Sequence, residues 1–515
     1  MTTFETCFLT VYFLTLVVLC FYGSHRYQIA LAYRKHKHNP PAKPPALDEA
    51  FGDEVPKVLV QLPVFNERFV VERLISRVCA LRYPKDRLLI QVLDDSTDDS
   101  KEIAEAAVKA QQDKGMPIEY RHRVDRTGFK AGALEAGLAA RPEYPLVVIF
   151  DADFLPEADF LEKMIPYFHE PEVGMVQARW EHLNREDSLL TQAQAILLDG
   201  HFMIEHTARH RSGRFFNFNG TAGVWRRETI DEAGGWHHDT ITEDLDLSYR
   251  AQLKGWRFIF LNDVLAPAEL PIEMNAFKNQ QHRWAKGSIQ VALKTLPKVL
   301  KSDQPFHIKY EAFCHLTGNI AYLMMILLSL IHPFALHMRV HSGWREALFI
   351  DLPFFLGATV SVCFFFGLSQ LEVDPRNGWR RLKYLPAVLG IGIGLAVNNA
   401  KATLEALFGH QSPFVRTPKW SAGDESEGSL RALTSSIYKG SRGLLPYIEL
   451  GFGLYYAYAV VYCIVYGHWL AAPFMMLFGW GFLYTAFLSF FQPQLLKRRA
   501  ERQARERAQV ALSES

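Results

Sequence analysis

The sequence carries almost no net charge: 56 lysines and arginines face 55 aspartates and glutamates, a formal balance of +1 over 515 residues. General nucleic-acid binders show a large basic excess, so no nucleic-acid partner is expected. Cysteine is scarce too. Its six copies (Cys7, Cys20, Cys79, Cys314, Cys363, Cys463) are scattered without a CxxC pair, so neither a disulfide framework nor a zinc site is indicated. Glycine-rich phosphate cradles of the GxGxxG or Walker type are missing. A phosphate-bearing ligand would have to be met by a metal and cationic side chains instead. There is no internal repeat or low-complexity tract, and SAGDESEGS (421–429) reads as a flexible polar loop.

What is present is segregated. The length exceeds a single ordinary core, so at least two structural units are expected. Residues 8–22, FLTVYFLTLVVLCFY, are almost wholly apolar and precede the basic stretch HRYQIALAYRKHKH. The start MTTFET lacks the basic residues of a cleaved leader, so 1–25 reads as a transmembrane anchor. By the positive-inside rule, 26–54 is then a cytoplasmic linker. Runs of spanning length near 311–336, 347–371, 446–467 and 469–492 predict two transmembrane helices within 305–372 and two within 446–492. The basic tail, 493–515, is expected to be cytoplasmic. A further apolar stretch, 385–408, would break this parity if it crossed. Its second half carries Asn398, Asn399, Lys401 and Glu405, costly groups in hydrocarbon. Residues 373–445 are therefore expected to hold an interfacial or re-entrant element. The helix ending before Lys301 reads as amphipathic and suited to the membrane surface.

Between 55 and 304 apolar strands alternate with helical periods. KVLVQLPVF (57–65), LLIQVLDD (88–95), IEYRHR (118–123), LVVIFDAD (146–153) and VGMVQARW (173–180) are the strands. That rhythm predicts a parallel sheet with helices on both faces, whose ligands bind at the carboxyl ends of the strands. Acidic pairs fall there: Asp94 with Asp95, and Asp151 with Asp153. Residues i and i+2 of an extended chain point the same way, so Asp151 and Asp153 can converge on one hard divalent cation. A lone DxD is otherwise a solvated loop. Lys130, at a helix start, can meet a phosphate or be a surface lysine. Glu243 and Asp244 lie in a first helical turn, where acids also favour the macrodipole and Thr242 is a candidate N-cap. Gln280, Arg283 and Trp284 share a helix face. Arginine can pair with a diphosphate and tryptophan offers a flat face to a sugar. An interfacial Arg–Trp pair at the membrane is the alternative.

Taken in order, DDS at Asp94, DAD at Asp151, TED at Thr242 and QQHRW at Gln280 resemble the family 2 glycosyltransferases, specifically the membrane-integrated, processive cellulose-synthase-like branch. FKAGALEAGL, VQARW and FNGTAGVWR are similar to mannan-synthase-like and glucan-synthase-like sequences. The resemblance covers about 55–300 and continues more loosely to FVRTPK (414–419), similar to the family's FxVTxK gating loop with Arg416 in place of valine. It implies an α/β GT-A-like nucleotide-sugar-binding domain inserted between transmembrane α-helices. It further implies that Asn66, Asp94, Asp95, Lys130 and Asp151 hold the donor nucleotide, with Asp151 and Asp153 carrying Mg2+ or Mn2+ on its diphosphate. Asp244 is implied as general base; Gly220, Thr221, Glu243, Gln280, Arg283 and Trp284 as residues for the acceptor and diphosphate. The implied reaction is inverting β-1,4-glycosyl transfer from GDP-mannose or UDP-glucose to a growing polysaccharide at the bilayer. Two other readings remain: glycosylation of a membrane lipid, and a transporter or scaffold with a degenerate transferase domain.

Overall fold

Strands rich in valine, leucine and isoleucine gather into one seven-stranded sheet in a computed structural model that describes residues 2–341, 353–410, 419 and 443–514. In chain order they are β1 (Val58–Val64), β2 (Leu88–Asp94), β3 (Ile118–His122), β4 (Leu146–Ile149), β5 (Val173–His182), β6 (Gly223–Arg226) and β7 (Arg257–Ala268). The spatial order is β3-β2-β1-β4-β6-β5-β7. β1 to β4 are parallel, as the strand–helix rhythm requires. The rest is not. β6 runs antiparallel between β4 and β5, and β7 pairs parallel with β5. The sheet is therefore mixed, and two strands went unrecognised in the sequence. β6 is only GVWR, too short to show a period of two.

The helices that matter below are α1 (Thr3–His36), α2 (Val71–Cys79), α3 (Ser100–Gln112), α4 (Phe129–Ala139), α5 (Leu189–Asp199), α6 (Glu243–Leu253), α7 (Met274–Lys301), α8 (Ser361–Val373), α9 (Leu385–Gly394) and α10 (Ala396–Leu407). One sheet face packs Val58, Val60, Leu62 and Val148 against Leu74 and Val78 of α2 and Ala104 and Val108 of α3. The other packs Leu59, Val147 and Ile149 against Leu134 and Leu138 of α4 and Leu247 of α6. Burial on both faces is why LVVI of β4 reads as an unbroken apolar run; Gln61 and Gln91 interrupt β1 and β2, buried and hydrogen bonded to each other at 3.1 Å. The antiparallel insertion has a positional effect. Because β6 starts where β4 ends (Gly223 opposite Ile149), the FNGTAG stretch reaches the same sheet edge as Asp151.

Five described helical segments are long and apolar enough to cross a membrane: Thr3–His36, Ile320–Arg339, Pro353–Val373, Leu445–Val465 and Ala472–Arg498. The stretch 385–408 is bent by 42° between its halves. Asn398 and Glu405 dock on α7, whereas Lys401 is exposed. Asn398 donates to the Lys278 carbonyl at 2.9 Å, and Glu405 meets Lys286 at 3.1 Å and His282 at 3.2 Å. A buried Lys278–Glu449 pair at 2.6 Å ties α7 to the span that starts at Leu445. Of the gating-type motif, residues 414–418 lie outside the described residues, as does the polar loop 421–429; Lys419 is described.

Candidate active site

The strand ends and the start of α7 enclose a cavity of about 250 Å³. Asp95, Lys130, Asp151, Asp153, Gly220, Glu243, Asp244, Gln280, Arg283 and Trp284 all line it. The Lys130 ammonium is the hub, 2.6 Å from Asp151 Oδ1 and 2.8 Å from the Gly220 carbonyl. Gly220 itself has φ +81°, in the left-handed region that favours glycine. A Cβ there would stand 3.0 Å from Asp244 Oδ2 and 3.4 Å from Lys130 Nζ. The missing side chain is thus what lets the TED carboxylate and the lysine converge. Among the described residues, the non-glycine positions with left-handed φ are Asn66 (55°), Phe129 (47°) and Ala222 (55°). Asn66 lies between two lining residues, Phe129 lines the cavity itself and Ala222 is two residues from Gly220; backbone strain of this kind persists only where surrounding structure enforces it.

The electrostatics follow from the packing. Burial, then the neighbouring Glu243 carboxylate, push Asp244 up to about 7 against the pull of Lys130. Burial also raises Glu243, opposed chiefly by Lys130. Lys130 would be pulled down by burial, but Asp151, Glu243 and Asp244 together hold it above the ordinary lysine range. Burial lowers Arg283 to about 10, while Asp151 and Glu243 draw it back up. Thr242 sits at the N-cap of α6 but its hydroxyl makes no cap hydrogen bond, while Glu243 and Asp244 do lie in the first helical turn. The α7 face opposite fixes that loop. Gln290 accepts from the Ile241 amide at 3.0 Å, and a Cβ on Gly287 would lie 2.4 Å from Thr242 Cγ2.

Three of the sequence-derived residues are placed otherwise. Asp94 is fully buried, outside the cavity lining, with its oxygens taken by the Ser96 amide (2.8 Å) and the Tyr120 hydroxyl (2.7 Å). Asn66 accepts from the Thr97 amide at 2.8 Å and braces one loop on another. The Thr221 hydroxyl accepts from the Asp151 amide at 2.9 Å, so it holds the DAD turn from behind. Asp95 does reach the cavity, clamped by Arg123 through two hydrogen bonds of 2.8 and 2.6 Å. Phe65, Glu67, Arg126 and His182 also line it and no motif had marked them; Trp180 of VQARW and Asn219 of FNGTAG line it as well. The Arg126 guanidinium sits 3.5 Å from the centroid of the Phe65 ring, a cation–π contact.

Asp151 and Asp153 offer hard oxygen donors from one strand end, a set that fits Mg2+ or Mn2+. Each has one oxygen met by an ammonium group, Asp151 by Lys130 and Asp153 by Lys419. Elsewhere among the described residues, ligand atoms of His237, Asp239 and Asp246 lie within 4.8 Å of one another. There the Lys294 ammonium already stands 3.1, 2.7 and 3.0 Å from them. The chain supplies that cation itself.

Residues 56–287 match the sequence profile described as "Glycosyltransferase like family 2". Over 264 residues the chain is 46% identical to glucomannan 4-beta-mannosyltransferase 2 of Arabidopsis thaliana, which covers 50% of this chain and 49% of that protein. The chain thus spans about half the length of that curated relative. Among solved structures, a mannosyltransferase from Pyrobaculum calidifontis in complex with GDP-Man and Mn2+ aligns with 77% of this chain and all of its own, at 19% identity and a TM-score of 0.49. Residues 1–349 of S. aureus TarS with UDP-GlcNAc align with 70% of this chain and 94% of their own, at 13% identity and 0.34.

Proposed function

Residues 56–287 being a family 2 glycosyltransferase domain of the cellulose-synthase-like kind, we propose that this protein is an inverting β-1,4-mannosyltransferase that extends a mannan or glucomannan from GDP-mannose. UDP-glucose is the alternative donor. The observation that carries the reading is one cavity holding a half-buried carboxyl of raised pKa, two carboxylates for a cation, two half-buried cations and a tryptophan face. The 46% identity to a glucomannan 4-beta-mannosyltransferase supports mannose as the sugar.

Each residue has work to do in that reaction. Lys130 and Arg283 neutralise the donor diphosphate, Lys130 while hydrogen bonded to the Gly220 carbonyl. Asp151 and Asp153 hold the divalent cation, which when bound stabilises the leaving diphosphate as a Lewis acid. Trp284 lays its ring against the acceptor sugar. Asp244, ionised, takes the proton from the acceptor hydroxyl as that oxygen attacks the sugar C1. The C1–oxygen bond to the acceptor forms as the C1–oxygen bond to the diphosphate breaks, so an α-linked donor gives a β-linked product. We place the catalytic domain on the cytoplasmic side, where nucleotide sugars are made, with the five apolar segments serving the outgoing chain.

The test is incorporation of radiolabelled sugar by membranes containing the protein, comparing GDP-mannose with UDP-glucose. Product is sorted into solvent-extractable lipid and insoluble material, then digested with a β-1,4-mannanase or a β-1,4-glucanase. Insoluble label released by the mannanase is the expected result. Label confined to the lipid extract would move the assignment to glycolipid synthesis.

A further inference from the structure

His182 ends β5, two residues after Trp180, so both side chains project to the same side of the strand. Both line the active-site cavity. The His182 side chain is only 2% exposed. Nε2 stands 3.2 Å from Asp199 Oδ1. A carboxylate only accepts, so Nε2 carries the proton. Nδ1 makes no hydrogen bond to any of the described residues.

Asp199 is held in its turn. Arg185 Nη2 meets its other oxygen at 2.6 Å, and Gln370 Nε2 meets the same oxygen at 2.9 Å. Burial would push the Asp199 carboxyl up, but the hydrogen bonds from His182 and Arg185 hold it well below the carboxylate range, so it stays an acceptor. Gln370 belongs to α8, one of the apolar segments of spanning length. A continuous buried chain thus runs from the cavity wall to a membrane helix.

We propose that His182 is an acceptor-binding residue: Asp199 fixes its tautomer, and Nδ1 accepts a hydroxyl of the acceptor sugar that Trp284 and Trp180 flank. The inference rests on the glycosyl-transfer reading above and adds to it the residue that orients the incoming chain. It also makes the Asp199–Arg185–Gln370 chain the link between acceptor position and the membrane helix.

Two substitutions separate the roles of the two nitrogens. His182→Asn puts an amide oxygen where Nδ1 stood and gives up the Asp199 bond. His182→Gln puts an amide N–H where Nε2 stood and gives up the acceptor at Nδ1. The full-length protein in membranes is assayed for sugar transfer to polymer and, separately, for donor hydrolysis measured as nucleotide release without transfer. Loss of one hydrogen bond predicts that His182→Gln lowers transfer by roughly tenfold, with donor hydrolysis within about twofold and shorter product chains. His182→Asn should retain more transfer than His182→Gln. A merely structural histidine gives the reverse order, because only glutamine preserves the Asp199 contact. That order overturns the assignment, as does an equal fall in hydrolysis and transfer. Wild-type transfer with His182→Gln unchanged overturns the His182 role alone; no transfer by the wild type with either donor overturns the parent reading too.

Discussion

Substituting Glu243 is the sharpest probe of the TED carboxylates, because it alters Asp244 without removing it. Asp244 is pushed up to about 7, first by burial and then by Glu243. A general base works only when ionised, so kcat/KM should fall as pH drops through 7. Between pH 8 and pH 6 the ionised fraction of such a group falls roughly tenfold; an ordinary aspartate near 3.9 would leave the rate flat there. Lys130 is held above the ordinary lysine range and stays charged throughout, so it does not add a limb. Glu243→Gln removes a like charge one residue away and should move the acid limb down by on the order of one pH unit. Burial remains, so the limb should not reach the ordinary aspartate value. Asp244→Asn should cost about 10²- to 10⁴-fold in kcat, the usual worth of a general base. The assay is initial label incorporation from pH 5.5 to 8.5, with donor affinity measured in parallel. A flat wild-type profile, an upward shift in Glu243→Gln, or an active Asp244→Asn would each refute the base assignment.

Chelation with EDTA should abolish incorporation and added Mg2+ or Mn2+ should restore it, as Asp151 and Asp153 require; full activity in chelator would remove their metal role. Asp94→Asn should act on stability rather than on donor KM, lowering the inactivation midpoint through loss of about 1–3 kcal/mol, because its oxygens satisfy Ser96 and Tyr120 within the core. Gly287→Val should force α7 away from Thr242 and lower kcat, with about 1–3 kcal/mol of overpacking seen as reduced thermal stability. Lys278→Met should cost about 3–5 kcal/mol by stranding Glu449, and the double variant Lys278→Met with Glu449→Leu should recover most of it, read as the thermal aggregation midpoint in detergent.

The contrast between Asp94 and Asp151 shows what a sequence can and cannot say about this site. LVVI followed by DAD is legible because β4 is buried on both faces and its end must lie at the ligand edge. The two acids then reach the cavity from a turn, closed by the Phe154 amide on the Asp151 carbonyl at 3.0 Å, rather than by strand alternation. DD at 94 and 95 also ends a strand, with a different result. Adjacent residues in extended chain face opposite sides, so only one of the pair can enter the cavity. Asp95 does so, and Asp94 turns inward to Tyr120 of β3. A motif match treats the two alike; pleating does not. The residues that escaped notice were out of reach for a related reason. His182 stands at the cavity because β5 pairs with β7 through a register shift near Ala178 and with β6 antiparallel. Both partners were strands that local periodicity had not revealed. Its significance also depends on Asp199, which arrives from the far end of α5. Neighbours in space that come from separate elements leave no spacing to read. The site was therefore legible where a strand end or an ordered motif builds it, as at Asp151, Asp244 and Arg283, and hidden where a residue such as His182 reaches it only through the pairing of β5 with β6 and β7.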